Sequence, residues 1–121
     1  MTQSKQQTQL LDYFDEEIAR CQALEQRCSA DFREDEAIFA KIQHNVWDIF
    51  RTMLMASEKA GEAGARQFFF AKLEQIPQNW RTALEQAQIH GDVEKAHIET
   101  TKLETVARIK AAAQRLWRDE I

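Results

Sequence analysis

An all-α fold is predicted by three observations: a helix-favouring composition, almost no helix breakers, and one apolar spacing that persists through the first half of the chain. Ala, Glu, Gln, Lys, Arg and Leu are plentiful, and such residues lose little side-chain freedom in a helix. Only three glycines and one proline interrupt 121 residues. Apolar residues make up 44% and charged residues 30%, which is too apolar for a disordered chain and sufficient for a core. The expected architecture is a helical bundle in a single domain, residues 1–121. A long N-terminal helix, continuous or bent near Ser29 and with a break there as the alternative, packs against three shorter C-terminal helices.

The N-terminal helix rests on its spacing. No Gly or Pro occurs between Met1 and Ala60. Leu11, Phe14, Ile18, Cys21, Glu25, Cys28, Phe32, Asp35, Phe39, Ile42, Val46, Ile49 and Met53 follow one another at alternating steps of three and four. That is the seam of a left-handed helix pairing, and only Glu25 and Asp35 depart from its apolar rule. Two structures are compatible with it. In one, Ser29-Ala30-Asp31 is a turn, with Asp31 as N-cap and Glu34 completing a capping box. In the other, residues 4–59 form one heptad-patterned helix. A loop has no reason to keep the heptad phase on both sides of itself, so the continuous helix is favoured.

The remaining boundaries follow from Gly and Pro. Lys59-Ala-Gly-Glu-Ala-Gly64 is a break, since glycine readily takes the left-handed conformation that ends a helix. A three-helix segment then occupies residues 65–118. Its first helix runs from Ala65 to Gln75 and stops before Pro77, with Phe69, Leu73 and Ile76 on one buried face. The second spans Gln78 to His90, with Trp80, Leu84 and Ala87 inward. Gly91 follows as a helix-ending glycine and Asp92 as a fresh N-cap, opening a helix from Val93 to about Arg118. Trp80, the Gly91-Asp92 turn and Ala96 resemble one tetratricopeptide-type unit. Leu84, Ala87 and Thr100 depart from that pattern and no second copy occurs, whereas repeat arrays need several. The likeness is one of helix-turn-helix grammar rather than of family membership.

Candidate chemistry is sparse. Glu94 and His97 have the Glu-x-x-His spacing of di-iron bundles, but those need two such pairs and further glutamates. His97 also falls on the stripe of Glu104, Arg108 and Arg115, away from Leu103 and Val106, so the pair is a weak metal candidate. His44 and Asp48 are one helical turn apart and are expected to point away from the seam. Cys21 and Cys28 are about 10.5 Å apart along a helix axis, too far for a bridge. They read as packing residues, with a redox role only if two copies align them. Phe68-Phe69-Phe70 covers about 200° of a helix circumference, so either several neighbours clasp it or one ring stays open to a partner. There is no Gly-x-Ser-x-Gly elbow and no phosphate-binding glycine loop.

Charge and targeting narrow the class further. Residues 1–60 carry seven basic and eleven acidic side chains, and residues 61–121 carry nine of each, for a net charge of −4. A nucleic-acid binder usually shows the opposite bias. Between Thr105 and Arg118 lie Arg108, Lys110, Arg115 and Arg118 with no acid, which complements the negative end of a helix dipole. The polar N-terminal stretch to Gln9 lacks the apolar run of a secretory signal, and no segment is long enough for a membrane span. A soluble protein of the reducing cytoplasm is expected.

The expected function is a non-enzymatic helical protein–protein interaction module with an adaptor, assembly or regulatory role. It needs no cofactor, and no small-molecule substrate, membrane or nucleic acid is assigned to it. The alternatives are a helical-bundle metal- or ligand-binding protein and, third, a nucleic-acid binder acting through the C-terminal helix. Self-association is expected from length. A helix over residues 4–59 would run about 84 Å, whereas a compact chain of this size is only about 35 Å across. A homodimer would cover the overhanging seam. The residues assigned to the interface are Leu11, Phe14, Ile18, Cys21, Phe32, Phe39, Ile42, Val46, Phe68 and Phe70.

Overall fold

The computed structural model describes residues 5–118; the expected helix start at residue 4 and the two ends of the 1–121 domain lie outside them. The described residues form a bundle of α-helices: α1 Lys5–Ala30, α2 Glu34–Ala56, α3 Gly61–Gln75, α4 Gln78–Ile89 and α5 Val93–Leu116, with a 3-10 turn at Ser57–Ala60 before α3. No helix among these residues is long and apolar enough to cross a membrane.

The helix expected over residues 4–59 is two helices folded back as a hairpin. Cys28 and Ser29 carbonyls accept from the Arg33 and Phe32 N–H groups at 2.7 and 3.2 Å, the paired bonds that close a helix with a left-handed residue. That residue is Phe32, at φ 61°. The capping box foreseen for a broken helix is absent: Arg33, not Asp31, precedes α2, and no side chain caps it. Instead Arg33 reaches sideways to Glu36 at 2.9 Å and to Asp31 at 3.3 Å.

The buried register also slips across this turn. Helix α1 buries Gln7, Leu10, Phe14, Glu17, Cys21 and Cys28. Continued from Cys28 at helical steps, that register would pass through Asp31, Asp35 and Ile38, and all three are exposed. Helix α2 buries Ala37, Ala40, Val46, Trp47, Phe50 and Leu54 instead. The unbroken spacing read from the sequence therefore follows the buried face in α1, through Phe14, Cys21 and Cys28 with Leu11 and Ile18 half-buried. It drifts to the flank in α2, where Phe39, Ile42 and Met53 are half-buried and Ile49 is exposed. With the two halves packed on each other, the seam finds its partner inside the chain. A second copy is not needed to cover it.

The later boundaries fall where Gly and Pro place them, except that α3 begins at Gly61 (φ 77°) and contains Gly64. Gly91 takes φ 67°, and the Asp92 carboxylate accepts from Lys95 N–H at 3.1 Å. Helices α2 and α5 run in the same direction, because Phe39 stacks on His97 near both starts and Arg108 lies over Trp47 further along. Helices α1 and α4 run against them. The 31–33 and 90–92 turns thus share one end of the bundle. Helix α3 closes the other end, where Phe69 touches Phe14, Phe50 and Trp117. The largest buried side chains, Trp47, Phe14, Phe50 and Phe69, gather in that half. Cys28, Ala37 and Ala40 are the small buried residues near the turns.

Two features sit at the α1–α5 contact. Glu17 is 4% exposed and is held by Arg108 at 3.3 Å and Arg20 at 3.5 Å. One turn on, burial pushes the Cys21 thiol above its ordinary pKa, Glu17 adds to the effect, and Arg108 and Arg20 only partly offset it. A buried thiol held in its neutral form is a packing residue rather than a nucleophile. At the surface between α3 and α5, a hydrogen bond from Lys110 at 2.7 Å holds the Glu74 carboxyl below the usual carboxylate range.

Candidate interaction surface at the turn end

Two helix-ending turns of the same hydrogen-bonded type lie at this end, and they contrast at the left-handed position. In the second, Asp92 and Gly91 N–H groups reach the Ala87 and Gln88 carbonyls at 2.8 and 3.2 Å, and glycine occupies the left-handed position. In the first, that position is Phe32, the only non-glycine residue at positive φ among those described. A Cβ in this conformation crowds the following carbonyl, at a cost of roughly 1–2 kcal/mol. Packing does not offset that cost, because Phe32 is 88% exposed.

Phe32 has apolar company. Val93 is 80%, Ile89 67% and Ile38 51% exposed, and these four are the most exposed large apolar side chains among the described residues. All four lie at or just beyond the two turns: Ile89 ends α4, Val93 starts α5, and Ile38 is in the second turn of α2. Helix ends project past the packed core, so the apolar residues there have no neighbour to cover them. An open groove of about 370 Å³ separates the α2 and α5 starts, lined by Asp35, Ile38, Phe39, Glu94, His97 and Ile98. Ile38, Phe39 and Ile98 give it apolar surface, and Asp35 and Glu94 bring a carboxylate from each helix. The His97 ring lies 4.1 Å from the Phe39 ring, at 36°.

The charge at this end is one-sided. Between Asp31 and Glu36 and between Asp92 and Lys95 there are six carboxylates against Arg33 and Lys95, a net −4. The other fourteen acidic and fourteen basic residues cancel, so these two short segments hold the net charge of the whole chain. Acids here offset the positive dipole ends of α2 and α5. Arg33 is already engaged by Asp31 and Glu36.

The residues singled out in the sequence fall in different places. Phe14, Cys21 and Val46, assigned to an intermolecular interface, are buried within the bundle. Leu11, Ile18, Phe39, Ile42, Phe68 and Phe70 are half-buried, and Phe32 alone of the ten stands open. The triple phenylalanine is clasped: Phe69 is fully buried, Arg66 covers the Phe70 ring at 4.3 Å and Lys72 covers Phe68 at 5.4 Å. Glu94 and His97 are exposed and line the groove. Among the described residues, no group of three or more His, Cys, Asp or Glu is placed to hold a metal ion. His44 does not point clear of the α1–α2 contact; it is half-buried in a polar groove with Gln22, Glu25, Gln26 and Ser29, while Asp48 is exposed. The C-terminal bases face partners in the chain: Arg108 meets Glu17, Lys110 meets Glu74, and Arg115 lies over the Tyr13 ring.

Sequence reasoning passed over Ile38, Ile89, Val93 and Ile98, because none lies on the heptad seam. Ile89 and Val93 do carry a signal, two aliphatics flanking a Gly-Asp turn that no helix face can bury. No protein-family model matches the chain, and neither the curated proteins nor the solved structures contain a match to it.

Proposed function

We propose that the protein is a non-enzymatic helical interaction module, and that the turn end of the bundle is where a partner protein docks. One observation carries it: an aromatic side chain occupies a backbone position that favours glycine, and it makes almost no use of its own fold in return. Residues that hold a strained conformation without local compensation concentrate at binding and switch regions. Ile38, Ile89 and Val93 add exposed apolar surface at the same end of the bundle, and apolar surface gathered on an otherwise polar exterior marks association sites. The bundle behind them, with its core at the far end, supplies a rigid platform.

The test is a differential capture from the host cell with tagged full-length protein. A partner retained by the parent chain should be lost with Phe32→Ser and with Val93→Ser. It should be kept by Ile49→Ser, which removes an exposed apolar residue of α2 away from the turns. Partners held equally by all four proteins would place the binding elsewhere on the bundle.

A further inference from the structure

We propose that the turn end accepts a basic amphipathic segment of another protein, seating an apolar side chain in the groove of Ile38, Phe39 and Ile98 and placing Lys or Arg against Asp35 and Glu94. It rests on the turn end being the docking surface and goes on to specify what docks there.

The chemistry of the partner follows from the chemistry of the groove. Ile38, Phe39 and Ile98 ask for an apolar side chain, and the open Phe32 ring at the same end of the bundle asks for a second. The carboxylates ask for positive charge: Asp35 of α2 and Glu94 of α5 both line the groove, and neither is in an ion pair with a base of its own chain among the described residues. A base docked there would meet a carboxylate from each helix. A second copy of this chain is the wrong occupant. A two-fold pair through this end would set a net −4 against its own image, and like charges across an interface select against a partner. The basic residues of the C-terminal helix do not supply the complement either, since Arg108, Lys110 and Arg115 are engaged within the bundle. Complementary charge on another protein would steer it to this end and fix its orientation, with the apolar anchors holding it once there.

The experiment titrates isotope-labelled full-length protein with three synthetic helical peptides of one pattern: leucine with lysine, leucine with glutamate, and serine with lysine. The leucine–lysine peptide should move the amide resonances of Phe32, Ile38, His97 and Ile98 saturably, and added salt should weaken it. The serine–lysine peptide should bind at least about tenfold more weakly, because it lacks the anchors. The leucine–glutamate peptide should leave those resonances in place. Neutralising the two carboxylates with Asp35→Asn and Glu94→Gln together should weaken the leucine–lysine peptide by roughly fivefold. If the leucine–glutamate peptide binds at the same residues as tightly, the basic partner is wrong while the docking surface stands. Equal binding of the serine–lysine peptide would reduce the site to unspecific charge attraction and overturn the proposal. If no peptide moves the turn-end resonances, both the partner and the surface fail.

Discussion

Replacing Phe69 by alanine is expected to lower stability by about 3–5 kcal/mol, a loss in the range of the largest core truncations. Phe69 is fully buried and its ring meets Phe14, Phe50, Phe70 and Trp117 at centroid distances of 6.0 to 6.5 Å. Its removal opens a cavity where α1, α2, α3 and α5 converge. Each of those contacts belongs to a different element, so the wall cannot collapse into the space without moving a helix. Against a typical total of about 5–15 kcal/mol for a single domain, the loss is severe. Phe68→Ala provides the comparison. Phe68 is half-buried beneath Lys72, and its loss should be less than half as large in chemical denaturation. Equal losses at the two positions would show that the core does not centre on Phe69.

Arg108→Ala is expected to be the most damaging change to the charged residues, at about 1–3 kcal/mol. Glu17 is 4% exposed, and Arg108 is the base that reaches it from another helix. Without that base the carboxylate keeps only Arg20, at 3.5 Å along its own helix. Removing one partner of a fully buried pair can cost more, but the Arg108 side chain is 49% exposed, so solvent moderates the loss. Glu17→Leu removes the buried charge itself and should be nearly neutral. Combined with Arg108→Ala it should cancel most of the single-site loss, a coupling of about 0.5–3 kcal/mol in a double-mutant cycle. Strict additivity would mean that Glu17 and Arg108 do not act together.

Much of the second half of the molecule was legible because its boundaries are written in Gly and Pro. Pro77 and the Gly91-Asp92 pair set the ends of α3, α4 and α5 to within a residue or two of where they are found, and the Phe69–Leu73 face is buried as expected. The first half misled for a definable reason. Its turn is closed by backbone hydrogen bonds around a phenylalanine, where glycine would have announced a helix end. The helix surfaces also carry two usable apolar tracks. The spacing that keeps phase across the turn joins them, running through buried Phe14, Cys21 and Cys28 in α1 and along half-buried Ile42 and exposed Ile49 in α2. The buried track includes Gln7 and Glu17, which an apolar search rejects, and it slips at Arg33. The candidate surface was half legible. Phe32 stood out, but as part of a seam, and its exposure follows only from the hairpin. Ile38, Ile89 and Val93 are seen to share one end of the bundle only once α2, α4 and α5 are set side by side.

We propose that Phe32 is held in its turn at a cost to stability because its side chain serves binding. Phe32→Gly tests it most directly. Glycine removes the crowding of a Cβ at positive φ, worth roughly 1–2 kcal/mol, and part of that gain is offset by the greater freedom of glycine in the unfolded chain. No packing is lost, since the ring is 88% exposed. Thermal unfolding of the full-length protein should therefore show a gain of up to about 1 kcal/mol, a midpoint raised by roughly 3–5 °C. A midpoint lowered by the substitution would contradict the account, because the Phe32 side chain would then be supporting the fold rather than standing open for a partner.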